Sequence, residues 1–170
     1  GFYDEKRSPY NQYLNEKGYE AENPWADFAN AAVEDNGDLA SGWMFKNADK
    51  PANIKEENSE TAWLTTKTLE FIDQAKGPWC AHVSYIKPHW PYIVPAPYHN
   101  MYGANHVPAA LRHSVEREDA HPVYKAYFEN KIATSFQREE VRQKVIPAYM
   151  GLIKQCDDHL GRILDHLEET

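Results

Sequence analysis

At 170 residues the chain is long enough for one domain with a sizeable core, and its 42% hydrophobic and 13% aromatic content excludes a disordered tail. A net charge of −8, from 26 acidic against 18 basic residues with no Lys/Arg block, argues against nucleic acid and an anionic membrane surface as partners. No apolar run approaches the roughly 20 residues that span a bilayer, and with no signal peptide in view a cytoplasmic location is the default expectation.

Gly1 to Pro9 reads as coil, and Tyr10 to Lys17 as a short helix closed by Gly18. Asn23-Pro24 is a helix start, with Asn as the cap and Pro at the first helical position. The helix that follows is expected to bury Trp25, Phe28, Ala29, Ala32 and Val33 and to stop at Asn36-Gly37. Leu39 to Lys46 is either a strand or an aromatic-rich loop, and Asn47 to Asn58, charged and carrying Pro51, reads as a surface connection. Ser59 then offers an N-cap oxygen and Glu60 meets the positive end of the helix dipole. Leu64, Thr68, Phe71, Ile72 and Ala75 fall on one face of that helix, which ends at Lys76-Gly77-Pro78.

Trp79 to Ile86 is short, rich in aromatic and β-branched residues, and bounded by Gly77-Pro78 and Pro88. Both alternating faces are apolar or small, which predicts a strand covered on both sides within an α/β sheet. Lys87-Pro88-His89-Trp90-Pro91-Tyr92 leaves its carboxyl end, where open α/β sheets place their ligands. Pro88 and Pro91 stiffen the backbone around His89, and an imidazole so held suits a general acid or a donor to an anion near neutral pH. The plainer alternative is a loop histidine bonded to backbone.

From Val94 to Pro122 four prolines and little periodicity predict an irregular excursion of the kind that covers a site. His99, His106, His113 and His121 lie in it at spacings that match no helical metal pair, so solvated loop histidines are expected. Tyr124 to Asn130 reads as a short helix. From about Glu139 to Glu169 a long helix carries a stripe of Tyr149, Leu152, Ile153, Cys156, Leu160, Ile163, Leu164 and Leu167, with Pro147 as a kink or start. Asp158 and Arg162 form an i, i+4 pair on its solvated face. Cys80 and Cys156 are expected to be small buried packers. No Gly-rich phosphate loop, HExxH, GxSxG or paired CxxC occurs.

Lys87-Pro88-His89-x-Pro91-Tyr92 with Pro95-x-Pro97-Tyr98 resembles the strand-end motif of sulfatases in the alkaline phosphatase superfamily. Tyr149-x-Gly151-Leu152-Ile153 with Asp157-Asp158-x-Leu160-Gly161-Arg162 resembles the helix that follows it in that family. Asn23-Pro24-Trp25, Ser41-Gly42-Trp43 and Ser59-Glu60-Thr61-Ala62 are similar to segments of its phosphonate monoester hydrolase and arylsulfatase branch, in the same order. The resemblance spans nearly the whole chain.

It implies an α/β fold, part of a three-layer α/β/α sandwich in which helices dominate this segment. It also implies hydrolysis of sulfate, phosphodiester or phosphonate monoesters by a formylglycine nucleophile beside a divalent metal, Ca, Mn or Mg. His89 falls at the position that binds the substrate oxygens or helps the leaving group depart, and Lys87 beside it is the second expected substrate-binding residue. The sequence holds no C/S-x-P-x-R motif, no early acidic metal-binding pair and no Asp-His-Gly run. The chain is therefore expected to be an interior segment of one catalytic domain, binding no metal itself and inactive alone. Its expected parts are helix and loop over 1–58, helix, strand and His89 loop over 59–98, excursion over 99–138, and long helix over 139–170. The expected partner is a small anionic ester, with a homo-oligomer left open. The alternative function is a non-catalytic binding domain using the aromatic loop at Trp90, Tyr92 and Tyr98.

Overall fold

The computed structural model describes residues 8–170, so the coil expected at the first residues lies largely outside it. Helix α1, Pro9–Glu16, is capped by Ser8, whose side chain accepts from the Asn11 amide, and it ends where Gly18 takes φ of +87°. Asn23-Pro24 does start a helical segment, but only a single π-helical turn, Trp25–Ala29. The chain then turns into β1, Ala31–Val33, which pairs antiparallel with β2, Leu39–Ser41. The expected helix is thus cut short. Asn30 ends the turn, its side chain donating to the Trp25 carbonyl, and Asn36-Gly37 forms the hairpin bend rather than a helix stop. This hairpin is the only sheet among the described residues.

The connection expected at the surface is partly interior: Asn47, Ala48, Ala52, Ile54 and Asn58 are all buried. Its backbone supplies the reason, because Ala52 N–H donates to Val94 O at 2.8 Å and Asn53 N–H to Ala31 O at 2.7 Å, tying hairpin and His89 loop together. Helix α2, Glu60–Gln74, begins at Ser59, whose Oγ accepts from the Ala62 amide as its cap. Its inward face is rotated from the one expected. Thr61, Thr65, Thr68 and Ile72 are buried while Phe71 stays exposed.

Trp79 to Ile86 is the clearest correction. These residues run between α2 and the His89 loop with no strand pairing, and most of them are exposed. A strand exists only through its ladder, and no neighbouring strand is present among the described residues to supply one. Cys80 is exposed with the rest of this segment, and Cys156 is half-buried.

After several short 3₁₀ turns come α3, Pro122–Glu129, α4, Lys131–Ser135, and the long α5, Glu139–Glu169, with Pro147 inside it. Two clusters of buried side chains result. Tyr10, Leu14, Trp25, Ala32, Ile54 and Ile93 form one under the hairpin, and Val94, Val141, Val145, Ala148 and Leu152 form the other along α5. Each fully buried aliphatic chain contributes about 1.5–3 kcal/mol. Of the expected stripe on α5, Leu152 and Ile163 are buried, whereas Tyr149, Ile153, Leu160, Leu164 and Leu167 are exposed. No helix of the described residues is long and apolar enough to cross a membrane.

Candidate functional site

The His89 loop runs between the two clusters, so elements from both halves of the chain fix it. Ile93 and Val94 anchor its exit, both fully buried. The His89 amide donates to Ile86 O at 3.0 Å, closing a turn at its entrance. The imidazole itself is exposed, with Nδ1 at 2.6 Å from Trp90 O. A carbonyl only accepts, so Nδ1 carries the hydrogen and Nε2 is the nitrogen presented outward.

Lys87 lies two residues away in an opposite environment. Its side chain is 5% exposed, and Nζ donates to Asn30 Oδ1 at 2.9 Å and to Pro91 O at 3.0 Å. Its counter-charge is Glu60, equally buried, with Oε1 at 3.5 Å from Nζ. The other Glu60 oxygen accepts from Trp25 Nε1 at 2.6 Å. Burial pushes the Lys87 pKa down, and the Glu60 carboxylate works against that shift. Cys156 Sγ on α5 completes the grip by donating to the Lys87 carbonyl at 3.3 Å. The sequence offers Glu60 as a partner of the helix dipole and as part of the Ser59–Ala62 segment of the resemblance, and gives no signal at Asn30. A buried acid in the first turn of α2 is set by tertiary approach, which one-dimensional spacing does not carry.

The aromatic residues near His89 are largely spent on each other. Trp90 meets Trp43 edge-on at 4.7 Å between ring centroids, and Tyr92 stacks on Phe45 at 6.0 Å and meets Tyr149 edge-on at 5.9 Å. Tyr98 donates to Asp158 Oδ2 at 2.8 Å, and burial followed by that carboxylate pushes its phenol pKa well up. Asp158 therefore pairs with Tyr98 and Lys154, not with Arg162.

Arg162 instead turns to Nδ1 of the buried His159, whose Nε2 meets Glu56 Oε1 at 2.7 Å. His159 thus braces α5 against the turn before α2. In the excursion, the ring nitrogens of His106, His113 and His121 accept from backbone amides of Gly103, Val115 and Val123. A concavity of about 970 Å³ there is bordered by Arg112, Arg117, Tyr124 and Phe128, without His89 or Lys87. Among the described residues no three His, Cys, Asp or Glu side chains converge to hold a metal ion. The described residues offer no donor set that fits such an ion.

A model of the sulfatase family matches residues 6–170. Over 138 residues the chain is 36% identical to the multifunctional alkaline phosphatase superfamily protein PehA of Trinickia caryophylli, covering 72% of this chain and 26% of that protein. The fold is similar to that of the phosphonate monoester hydrolase SpPMH from Silicibacter pomeroyi, with a TM-score of 0.73 and 29% identity over 96% of this chain and 33% of that one. The phosphonate monoester hydrolase of Agrobacterium radiobacter shares the fold with a TM-score of 0.74 and 22% identity, over 97% of this chain and 33% of that one. Helices dominate a chain whose structural neighbours are α/β hydrolases of the alkaline phosphatase kind, as expected for part of that fold. The chain spans between a quarter and a third of the length of these relatives.

Proposed function

Because the chain belongs to the sulfatase family, we propose that it is the part of an ester hydrolase that delivers His89 to an anionic ester, a sulfate, phosphodiester or phosphonate monoester. The observation that carries this reading is the tautomer imposed by Trp90 O on an exposed ring. With Nδ1–H committed, Nε2 is the nitrogen that can work. Protonated, it donates a charge-assisted hydrogen bond to a substrate oxygen or passes its proton to the departing oxygen.

The nucleophile and the metal belong, in this reading, to residues outside the 170, since the sequence holds no C/S-x-P-x-R and the described residues hold no metal-binding group. The resemblance implies a formylglycine beside a divalent metal there, which would supply the attack on the ester. What this chain adds is orientation: a ring held on a loop pinned by buried residues at both ends. The internal packing of Trp90, Tyr92 and Tyr98 supports the enzyme reading over a binding module that would need those rings free.

The test is His89→Ala in the intact enzyme, assayed with aryl sulfate, aryl phosphodiester and aryl phosphonate monoester chromogens. Turnover on the preferred ester should fall on the order of 10²-fold or more. Wild-type kinetics would reject the role.

A further inference from the structure

We propose that Lys87 is a positioning residue for His89, one that never touches substrate and acts by locking the loop through a buried clamp with Glu60 and Asn30. The inference rests on the reading of His89 given above. The resemblance implies Lys87 as a second substrate-binding residue, but its ammonium is turned into the protein. The ammonium donates to Asn30 Oδ1 and Pro91 O and faces Glu60 Oε1 across an ion pair of 3.5 Å.

The bond to Pro91 O is the telling one. It runs from Lys87 to the residue four positions on, so the side chain spans the Pro88-His89-Trp90 segment and closes it from beneath. The other contacts tie that closed segment to distant parts of the chain. Asn30 belongs to the end of the π-helical turn, Glu60 to the first turn of α2, and Cys156 Sγ on α5 holds the Lys87 carbonyl. Glu60 is itself oriented by Trp25 Nε1, and its Oε1 has no hydrogen bond, only the ionic contact with Lys87.

For Lys87 to reach a substrate, it would have to abandon two hydrogen bonds and leave a buried carboxylate without its counter-charge, which is strongly unfavourable. Holding the ammonium in place has the opposite effect. The loop keeps one shape, and the shape decides where Nε2 points. A displacement of about 1 Å at a reacting group can cost on the order of 10²-fold in rate, so a clamp one side chain away from the ring is enough to govern turnover.

The experiment is a mutant cycle in the intact enzyme with the best of the aryl ester chromogens, comparing Lys87→Met, Glu60→Gln, His89→Ala and the two doubles with His89→Ala. Glu60→Gln keeps shape and an oxygen for Trp25 while removing the charge. Each clamp variant should lower kcat by about 10-fold to 10²-fold while KM moves by less than about threefold. In the His89→Ala background neither should lower kcat further, because a residue that acts through the ring has nothing left to act on. A KM that climbs while kcat holds would mark Lys87 as a substrate contact and overturn the proposal. So would clamp losses that multiply the His89→Ala loss, or a lowered Tm with unchanged kcat. If Lys87→Met does not fold, Glu60→Gln carries the same comparisons. His89→Ala with wild-type turnover would sink the reading of His89 itself, whereas an impaired His89→Ala with multiplicative clamp effects would sink this inference alone.

Discussion

Glu56 Oε1 receives Gln155 Nε2 at 2.8 Å and His159 Nε2 at 2.7 Å, so two side chains one turn apart on α5 converge on a single oxygen. Arg162 donates to His159 Nδ1, so the ring receives on one nitrogen and donates from the other. Burial pushes the Glu56 carboxyl pKa up, and the hydrogen bonds from His159 and Gln155, together with the electrostatic pull of His159 and Arg162, more than reverse it, leaving it below its ordinary value. A carboxyl depressed in the folded state contributes stability above its unfolded pKa, near 4.5, and loses that contribution as pH falls through the folded value. Chemical denaturation of the intact protein from pH 6 down to pH 3 should therefore show Glu56→Gln less stable than wild type at the upper end, on the order of 1 kcal/mol, with the gap closing in acid. A gap that stays constant over that range would show that Glu56 is not held low by its partners.

At the next scale up, α5 approaches the turn at Tyr98–Asn100 so closely that a side chain is excluded. A Cβ built on Gly151 would meet Tyr98 O at 2.5 Å and Val94 Cγ1 at 3.3 Å. Alanine is the better helix former by about 1 kcal/mol, so intrinsic propensity alone would make Gly151→Ala stabilising. Contact with a backbone carbonyl cannot be relieved by a rotamer change, and the variant should instead lose about 1–3 kcal/mol, read as a lower denaturation midpoint with an unchanged slope. A midpoint equal to wild type would mean the two elements are free to separate.

Elements of this kind divide into those a single sequence reveals and those it does not. The Ser59 cap and the span of α5 were legible because capping oxygens and helical periodicity act within a few residues. The same period misjudged which face of α2 turns inward, since Thr61, Thr65 and Thr68 are buried by neighbours that the pattern cannot name. Ala31–Val33 reads as helix until the Asn30 side chain, bonded to Trp25 O, ends the turn before it. At the site, the stiff loop around His89 is legible from its flanking prolines, whereas the place of the ring against a substrate comes from the resemblance. The burial of Lys87 is legible in neither, because Glu60 and Asn30 lie 27 and 57 residues away along the chain.

Across the whole molecule, two stretches remain unlike a finished surface. Ile153, Leu160, Leu164 and Leu167 leave an apolar stripe along α5 at 41–52% exposure, and Trp79 to Ile86 offers unpaired backbone beside exposed apolar side chains. Unpaired extended backbone and contiguous apolar surface both favour association with another chain or another part of the same one. The larger α/β hydrolases that share this fold have about two-thirds of their length beyond the matched region, as the 33% coverage shows. A sheet contributed by such a remainder would give residues 79–86 the ladder they lack here and would cover the stripe on α5. The purified 170-residue chain should then bind a hydrophobic dye such as ANS and melt over a broad range, whereas the intact protein should melt cooperatively without dye binding. Cooperative unfolding of the 170-residue chain without dye uptake would show that these surfaces need no cover.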